Sequence, residues 1–387
     1  MQMNRKQSVN IITLFLVLVA GFTAASILAP KRTFSETENR TLQTLPVPDV
    51  ESVLSGKFGE RYEAYLADQF PGRDGWIALK TGAERAALRQ DAKGVYFADD
   101  DYLIETHEGV FDVPQAQASA THLSAFCRAL TSQEDAPNLS VMVVPNAVDI
   151  LADKLPPFAA PFDEEEYLKT IQGLLPEGVW FDAGSVLRRE AEAGRQIYYR
   201  TDHHWTTGAA FAVFREWAMS RGLGEFAEED YNITQVSDTF TGTIAAKVAQ
   251  TSVHDAIEIY EAKDASPIRV RVNETGEETD TIYVPDKLET RDQYAVYFGG
   301  NNAIVETRVL HREPKERRLL ILKDSYAHCF APFTFSCFDQ VDLVDLRYFN
   351  RPLKELMEEK DYTDILVLYN AAGFAEDVSL AKLTGGA

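Results

Sequence analysis

Cysteine is scarce in this 387-residue chain, and the three present, Cys127, Cys329 and Cys337, have neither CxxC spacing nor an even count. That excludes a cysteine zinc site and a disulfide framework. Cys329 and Cys337 could still bridge locally, or all three could be buried thiols. Histidine is equally sparse, at seven, and no HExxH pair occurs. No internal repeat or long low-complexity stretch appears. Basic residues are outnumbered, 38 Lys and Arg against 60 Asp and Glu, for a formal charge of -22. Such a charge repels nucleic acid and anionic headgroups at long range, and no strong basic patch offsets it. Nucleic acid is therefore not an expected partner.

What the chain has in quantity is apolar side chains, 45%, and aromatics, 11%. Its length suits one large ordered domain with a smaller part attached. Arg5 and Lys6 precede VNIITLFLVLVAGFTAASILA, residues 9–29, which carries no charge and is long enough to cross a bilayer as a helix. Residues 1–29 are expected to be a membrane anchor, or else a signal segment, although the run is longer than most signals. Lys31 and Arg32 on its far side balance the upstream charges. The short tail before the run has no room for a domain, so the functional body is expected after it, outside the cytoplasm.

Residues 30–90 read as a linker followed by helices. Phe58, Tyr62, Tyr65, Leu66, Trp76, Leu79 and Ala83 recur at helical spacing around a break at DQFPGRDG. From 91 to 387 strands and helices alternate. GVYFADDDYLIE, residues 94–105, reads as a hairpin, and LSVMVV from 139 as a strand buried on both faces. Further strands are expected at GVWFD (178–182), RRLLILKDS (317–325), QVDLVDL (340–346) and DILVLYN (364–370), with helices at 119–132, 163–174, 206–220 and 351–358. This order predicts an α/β fold with a parallel central sheet covered by helices on both faces. Residues 225–315 are expected to form a β-rich insertion or an antiparallel edge.

Working groups in such sheets sit at the carboxyl ends of strands. RRLLILKDS delivers Asp324 and Ser325 there, ahead of a segment apolar enough for a helix. A serine on a strand-to-helix turn is held exposed, near free backbone N–H groups that can stabilise an oxyanion. To become a nucleophile it needs a histidine in reach and an acid that fixes the ring's tautomer. YYRTDHHWTTGAA, residues 198–210, supplies both. In an extended loop Asp202 and His204 share a side while His203 points elsewhere, and a turn can bring the carboxylate to Nδ1. Other readings stay open at this point. Ser325 could be a cap, Asp202 the N-cap of the helix that follows, Trp205 a core anchor, and Asp202, His203 and His204 metal ligands.

TDHHWT with downstream KDSYA, together with FSETENRTL and DQFPGRD, resembles the DHHW family of membrane-anchored bacterial proteins. That family is similar in turn to the alginate O-acetyltransferases, with their TDxHWT motif, in the SGNH hydrolase superfamily. The resemblance implies a flavodoxin-like, SGNH hydrolase-type α/β/α sandwich, and a triad of Ser325, His204 and Asp202. It also implies acyl transfer on a cell-surface or exported polysaccharide. Two positions depart from the acetyltransferases: His203 replaces a small residue, and Lys323 stands where a glycine is usual.

The expected protein is an extracytoplasmic, membrane-anchored O-acyltransferase, most simply an O-acetyltransferase. Its body would lie outside the cell membrane and work through an acyl-serine, without cofactor or metal. Acetyl-CoA is cytoplasmic, so a membrane-bound O-acyltransferase is the implied donor partner. Arg200, Trp205, Tyr326, Gly300 and Asn301 are candidates for substrate contact, and Asn370 ends another strand. The alternatives are a carbohydrate esterase of the same mechanism, and a silent glycan-binding or assembly protein.

Overall fold

The structure is a computed structural model that describes residues 5–35, 40–250 and 252–385. The start of the N-terminal tail and residues 36–39 of FSETENRTL lie outside the described residues. The chain divides into two units, Met1–Arg89 with Ala246–Gln250, and Gln90–Ala245 with Thr251–Ala387.

The first unit opens with helix α1 (Arg5–Leu28). Its stretch Val9–Leu28 is long and apolar enough to cross a membrane, a test that anchors and signal sequences both pass. Short strands β1 (Phe34–Ser35) and β2 (Arg40–Thr41) pair antiparallel. Helix α2 (Val50–Leu54) is started by a capping box between Asp49 and Ser52. Helices α3 (Lys57–Asp68) and α4 (Arg73–Ala86) follow. They are separated at FPG because Pro71 cannot continue α3 and Gly72 takes a left-handed φ of 67°.

The second unit begins with a three-stranded antiparallel sheet of β3 (Asp91–Ala92), β4 (Val95–Phe97) and β5 (Leu103–Glu105). Next come α5 (Pro114–Thr131), β6 (Asn138–Val144), α6 (Ala147–Ile150), α7 (Glu164–Leu174), α8 (Ala183–Glu192) and α9 (Thr207–Ser220). Strand β7 (Tyr231–Phe240), helix α10 (Thr243–Val248), whose residues from Ala246 on are counted with the first unit, and strands β8 (Asp255–Ala262), β9 (Ile268–Val272) and β10 (Ile304–Val309) follow. The chain closes with β11 (Arg318–Lys323), α11 (Ala327–Thr334), β12 (Gln340–Val344), α12 (Leu353–Lys360), β13 (Asp364–Asn370) and α13 (Ala371–Glu376).

The main sheet has the order β6-β13-β11-β12-β10-β9. Its first four strands are parallel, while β10 runs antiparallel to both of its neighbours, β12 and β9. In β11, Leu319 and Ile321 face one core with α8, α9 and α11, while Leu320 and Leu322 face the other with α5, α7, α12 and α13. Two buried faces explain why RLLILK is apolar without alternation. From β11 the chain crosses to β12 on one side and returns to β13 on the other. The carboxyl end of β11 is thus a topological switch point, where the diverging connections leave a crevice.

One expectation needs correction, and one divides between its alternatives. GVWFD is no strand but a single bridge, Val141 to Trp180, because Gly178 takes a positive φ and Asp182 already caps α8. The 225–315 segment divides, with β7 and β8 forming a separate pair and β9 and β10 extending the main sheet.

Candidate active site

Strand β11 ends in the crevice, and Asp324 shapes the turn that follows. Its Oδ2 accepts from the Asn370 backbone N–H (2.8 Å) and side-chain Nδ2 (2.6 Å), and Oδ1 accepts from the Tyr326 N–H (2.9 Å). Asn370 in turn accepts from Asn146 Nδ2 (3.1 Å), so the ends of β11, β13 and β6 are tied together. Gly373 is needed beside them, since a Cβ there would lie 2.6 Å from Asn370 Nδ2. Ser325 sits half-buried on this turn, just before α11. Among the described residues its N–H meets no protein acceptor.

The 198–206 loop folds back on itself through an antiparallel bridge between Tyr198 and Trp205. That bend overcomes the two-residue spacing. Asp202 Oδ2 accepts from the His204 N–H at 3.3 Å and lies 2.5 Å from His204 Nδ1. His204 Nε2 is 2.7 Å from Ser325 Oγ. Asp202, His204 and Ser325 therefore form one hydrogen-bonded chain, although His204 and Ser325 are 121 positions apart in sequence.

Two segments hold this loop that sequence reasoning missed. Asp255, from β8, accepts from the N–H groups of Arg200 and Thr201 and from Thr201 Oγ1. Thr243 donates to Asp202 Oδ1 from both N–H (2.7 Å) and Oγ1 (2.8 Å). Gly242 makes that approach possible, since a Cβ there would lie 2.1 Å from Asp202 Cβ. The TGT triplet at 241–243 is the only local signal, and turns use the same residues everywhere.

The His204 ring is flanked by Tyr294, stacked at 3.9 Å between centroids, and by His203, also at 3.9 Å. Burial pushes the Asp202 carboxyl up, yet the charges of and hydrogen bonds from His203 and His204 outweigh it and hold the group well below the carboxylate range. Burial, then the charge of His203, lowers His204 to about 4. His203, 31% exposed, goes the other way, because Asp202 outweighs burial and raises it to about 9. These opposite shifts favour the positive charge on His203 and a neutral His204, whose Nε2 faces Ser325. Asp324 is pushed up to about 6 by burial.

Donor atoms of Asp202, His203 and His204 all lie within 4.8 Å of one another and could hold a metal ion. Both nitrogens of His204 and both oxygens of Asp202 are, however, already engaged with protein groups. The arrangement suits proton transfer better than coordination.

The remaining candidates fall elsewhere. Trp205 is wholly buried and donates from Nε1 to the Tyr326 carbonyl, so it has no face to offer a substrate. Tyr326 is also wholly buried and donates from its hydroxyl to the His203 carbonyl. Both brace the serine turn against the histidine loop. Arg200 donates to the Asp100 carbonyl and Gln196 and lies over the Tyr102 ring, which makes it a loop brace too. Gly300 and Asn301 lie in a turn, where the Gly300 N–H donates to Tyr297 and its carbonyl accepts from Asn302. Among the described residues, no contact links them to Ser325. Lys323 is buried between His328 and Asp345, and the three cysteines are free and buried.

The sequence profile of a family described as ALGX, an SGNH hydrolase-like domain, acetyltransferase AlgX, matches residues 95–289. That span includes Asp202 and His204 and ends before Ser325. Among solved structures, a DHHW family protein from Eubacterium siraeum is similar over 76% of this chain and 96% of its own, with 20% identity and a TM-score of 0.61. Bacillus cereus PatB1 carrying a sulfonyl adduct is similar over 74% of this chain and 98% of its own, at 19% identity and TM-score 0.59. A second PatB1 structure gives 73%, 97%, 18% and 0.59. At these identities the likeness is one of fold. No curated protein matches the chain.

Proposed function

The chain belongs to the SGNH hydrolase-like family of the acetyltransferase AlgX, and on that premise we propose that it is a serine-dependent O-acyltransferase. The observation that carries this reading is the 2.7 Å contact between His204 Nε2 and Ser325 Oγ, with Asp202 behind the ring. Ser325 Oγ attacks the acyl carbonyl of a donor ester while His204 Nε2 takes its proton. The carbonyl oxygen gains the negative charge, and the Ser325 N–H, which meets no protein acceptor among the described residues, is the proposed donor to it. The bond to the leaving oxygen then breaks, and the His204 proton passes to that oxygen. An acyl-serine remains. A sugar hydroxyl next gives its proton to His204 and attacks the acyl-serine, and Ser325 Oγ leaves with the proton returned. Asp202 stays ionised throughout and holds the imidazole in its tautomer.

The acyl group in this proposal is acetyl, and the acceptor is a cell-surface or exported polysaccharide. Helix α1 anchors the chain and the body works outside the cytoplasm. Because acetyl-CoA is cytoplasmic, the donor is an acyl group handed across by a membrane-bound O-acyltransferase. Water in place of the sugar hydroxyl would make the same chemistry an esterase.

Intact-mass spectrometry of the full chain in detergent, after exposure to an activated acetyl ester, tests the reading. One acetyl adduct is expected on Ser325, absent in Ser325→Ala and His204→Ala. An adduct unchanged by either substitution would overturn it.

A further inference from the structure

The helical pair α3 and α4 leaves large apolar side chains uncovered. Trp76 is 49% exposed and Leu79 62%, with Leu66 and Phe70 similarly open. Trp76 and Leu79, three apart, lie on one face of α4. This patch is continuous with α1. Phe22, inside the apolar stretch, stacks on Phe70 with ring centroids 5.4 Å apart and meets Trp76 at 6.2 Å. Just beyond α1, Arg32 pairs with Asp74 at 2.9 Å, and Lys31 lies over the Tyr65 ring. Charged groups and apolar rings are thus sorted along the helix axis. Arg32 and Asp74 stand past the end of α1, while Phe70 and Trp76 sit beside its last turns.

We propose that the turn joining α3 to α4 inserts Phe70, Trp76 and Leu79 into the acyl boundary of the membrane that α1 crosses. Depth carries the assignment. Phe22 lies six residues before Leu28, about 9 Å down the helix axis. If Leu28 marks the edge of the hydrocarbon, rings stacked on Phe22 lie below that edge. Interfacial helices bury an apolar face about 5–10 Å into the same zone, and tryptophan favours it. Charge agrees. Residues 30–89, which follow the span, hold nine Lys and Arg and nine Asp and Glu, whereas residues 90–387 hold 27 against 51. The part of the chain that must approach a lipid surface is the part that anionic headgroups do not repel.

Nitroxide labelling of the full chain in vesicles of phosphatidylcholine and phosphatidylglycerol tests the proposal. Labels are placed singly at Leu79→Cys, at Phe15→Cys within α1, and at Leu174→Cys on α7. Collisions with oxygen, enriched in acyl chains, are compared with those of a water-soluble nickel chelate. The Leu79 label is expected to resemble Phe15, favouring oxygen severalfold over the Leu174 label. A Leu79 label that resembles Leu174 while Phe15 reports acyl chains overturns the insertion and leaves the anchor standing. Water-like behaviour at both Leu79 and Phe15 overturns insertion and anchor together. Trp76 fluorescence, taken as the difference from Trp76→Phe, gives a second reading without a label. It should lose about half its intensity to lipids brominated near the headgroup and little to aqueous iodide. The reverse pattern overturns the proposal.

Discussion

Two histidines stack against the Tyr294 ring, His204 at 3.9 Å and His328 at 6.2 Å between centroids, and spend their nitrogens differently. His204 faces a carboxylate with one nitrogen and the Ser325 hydroxyl with the other. His328 accepts at Nε2 from the buried ammonium of Lys323, which also donates to Asp345. Burial lowers both rings, His204 to about 4 and His328 well below the usual range. Being neutral and buried therefore does not make a base. The partner decides in the proposed reaction, since the Ser325 hydroxyl there has a proton to surrender on attack, while an ammonium saturates the lone pair and ends the chain at His328. The Lys323 cluster has a mechanical part instead. It spans from β11 to the first turn of α11, on either side of Ser325, and so clamps the turn that carries the hydroxyl.

The sharpest way to break the comparison is to disable the His204 side while leaving its shape. Asp202→Asn keeps the volume but presents the wrong partner to Nδ1, and acyl-serine formation should fall about 10⁴-fold. Stopped-flow acylation with an activated ester measures it, with melting temperature as the control for folding. On the His328 side the loss should fall on stability. Asp345→Asn leaves Lys323 buried without its carboxylate. Breaking such a pair costs about 3–5 kcal/mol, and the low end applies because Lys323, already lowered by burial, can shed its proton. Urea unfolding of the full chain in detergent checks this. A third variant probes the frame. Gly242→Ala forces a methyl against Asp202, and a displacement of that order should slow acylation about a hundredfold while His328 and Lys323 stay put.

These variants also mark the limit of what could be read from the chain. The run RRLLILKDS announces a doubly buried strand ending in a serine-bearing turn before a helix because both signals are local. The bend that brings Asp202 to His204 was available as a possibility because only two residues separate them. Gly242, Thr243 and Asp255 were not visible, since their relation to Asp202 and Thr201 exists only through space, about 40 to 54 residues away. Of the two readings of Trp205, core anchor and substrate contact, the buried ring favours the first for a related reason. Neighbours in an extended loop alternate, so with His204 turned to Ser325 the next ring turns into the core, where its indole N–H finds the Tyr326 carbonyl. Helix α8 escaped because its opening, AGS, lacks an apolar start, although Asp182 caps it from the Ser185 N–H.

The smallest expected effect concerns His203, which separates the two histidine environments electrostatically. His204 is held at about 4 partly by the positive charge beside it, and His203 is held at about 9 by Asp202. In the proposed reaction His204 is the general base and must be unprotonated, so wild-type acylation should persist from neutral pH down to about 4. Replacing His203 with asparagine removes a cation, and so removes an influence that lowers His204. The acid limb of the rate profile should then move up, towards the ordinary imidazole value near 6.5. Stability should move at the other end. A group raised on folding stabilises fully below its unfolded value and loses that contribution as pH rises through its folded one. Wild-type melting temperature should therefore decline between about 6.5 and 9, and His203→Asn should lack that decline. A variant whose acid limb stays near 4 would mean that burial, and not the charge of His203, lowers His204, and the electrostatic part assigned to His203 would be overturned.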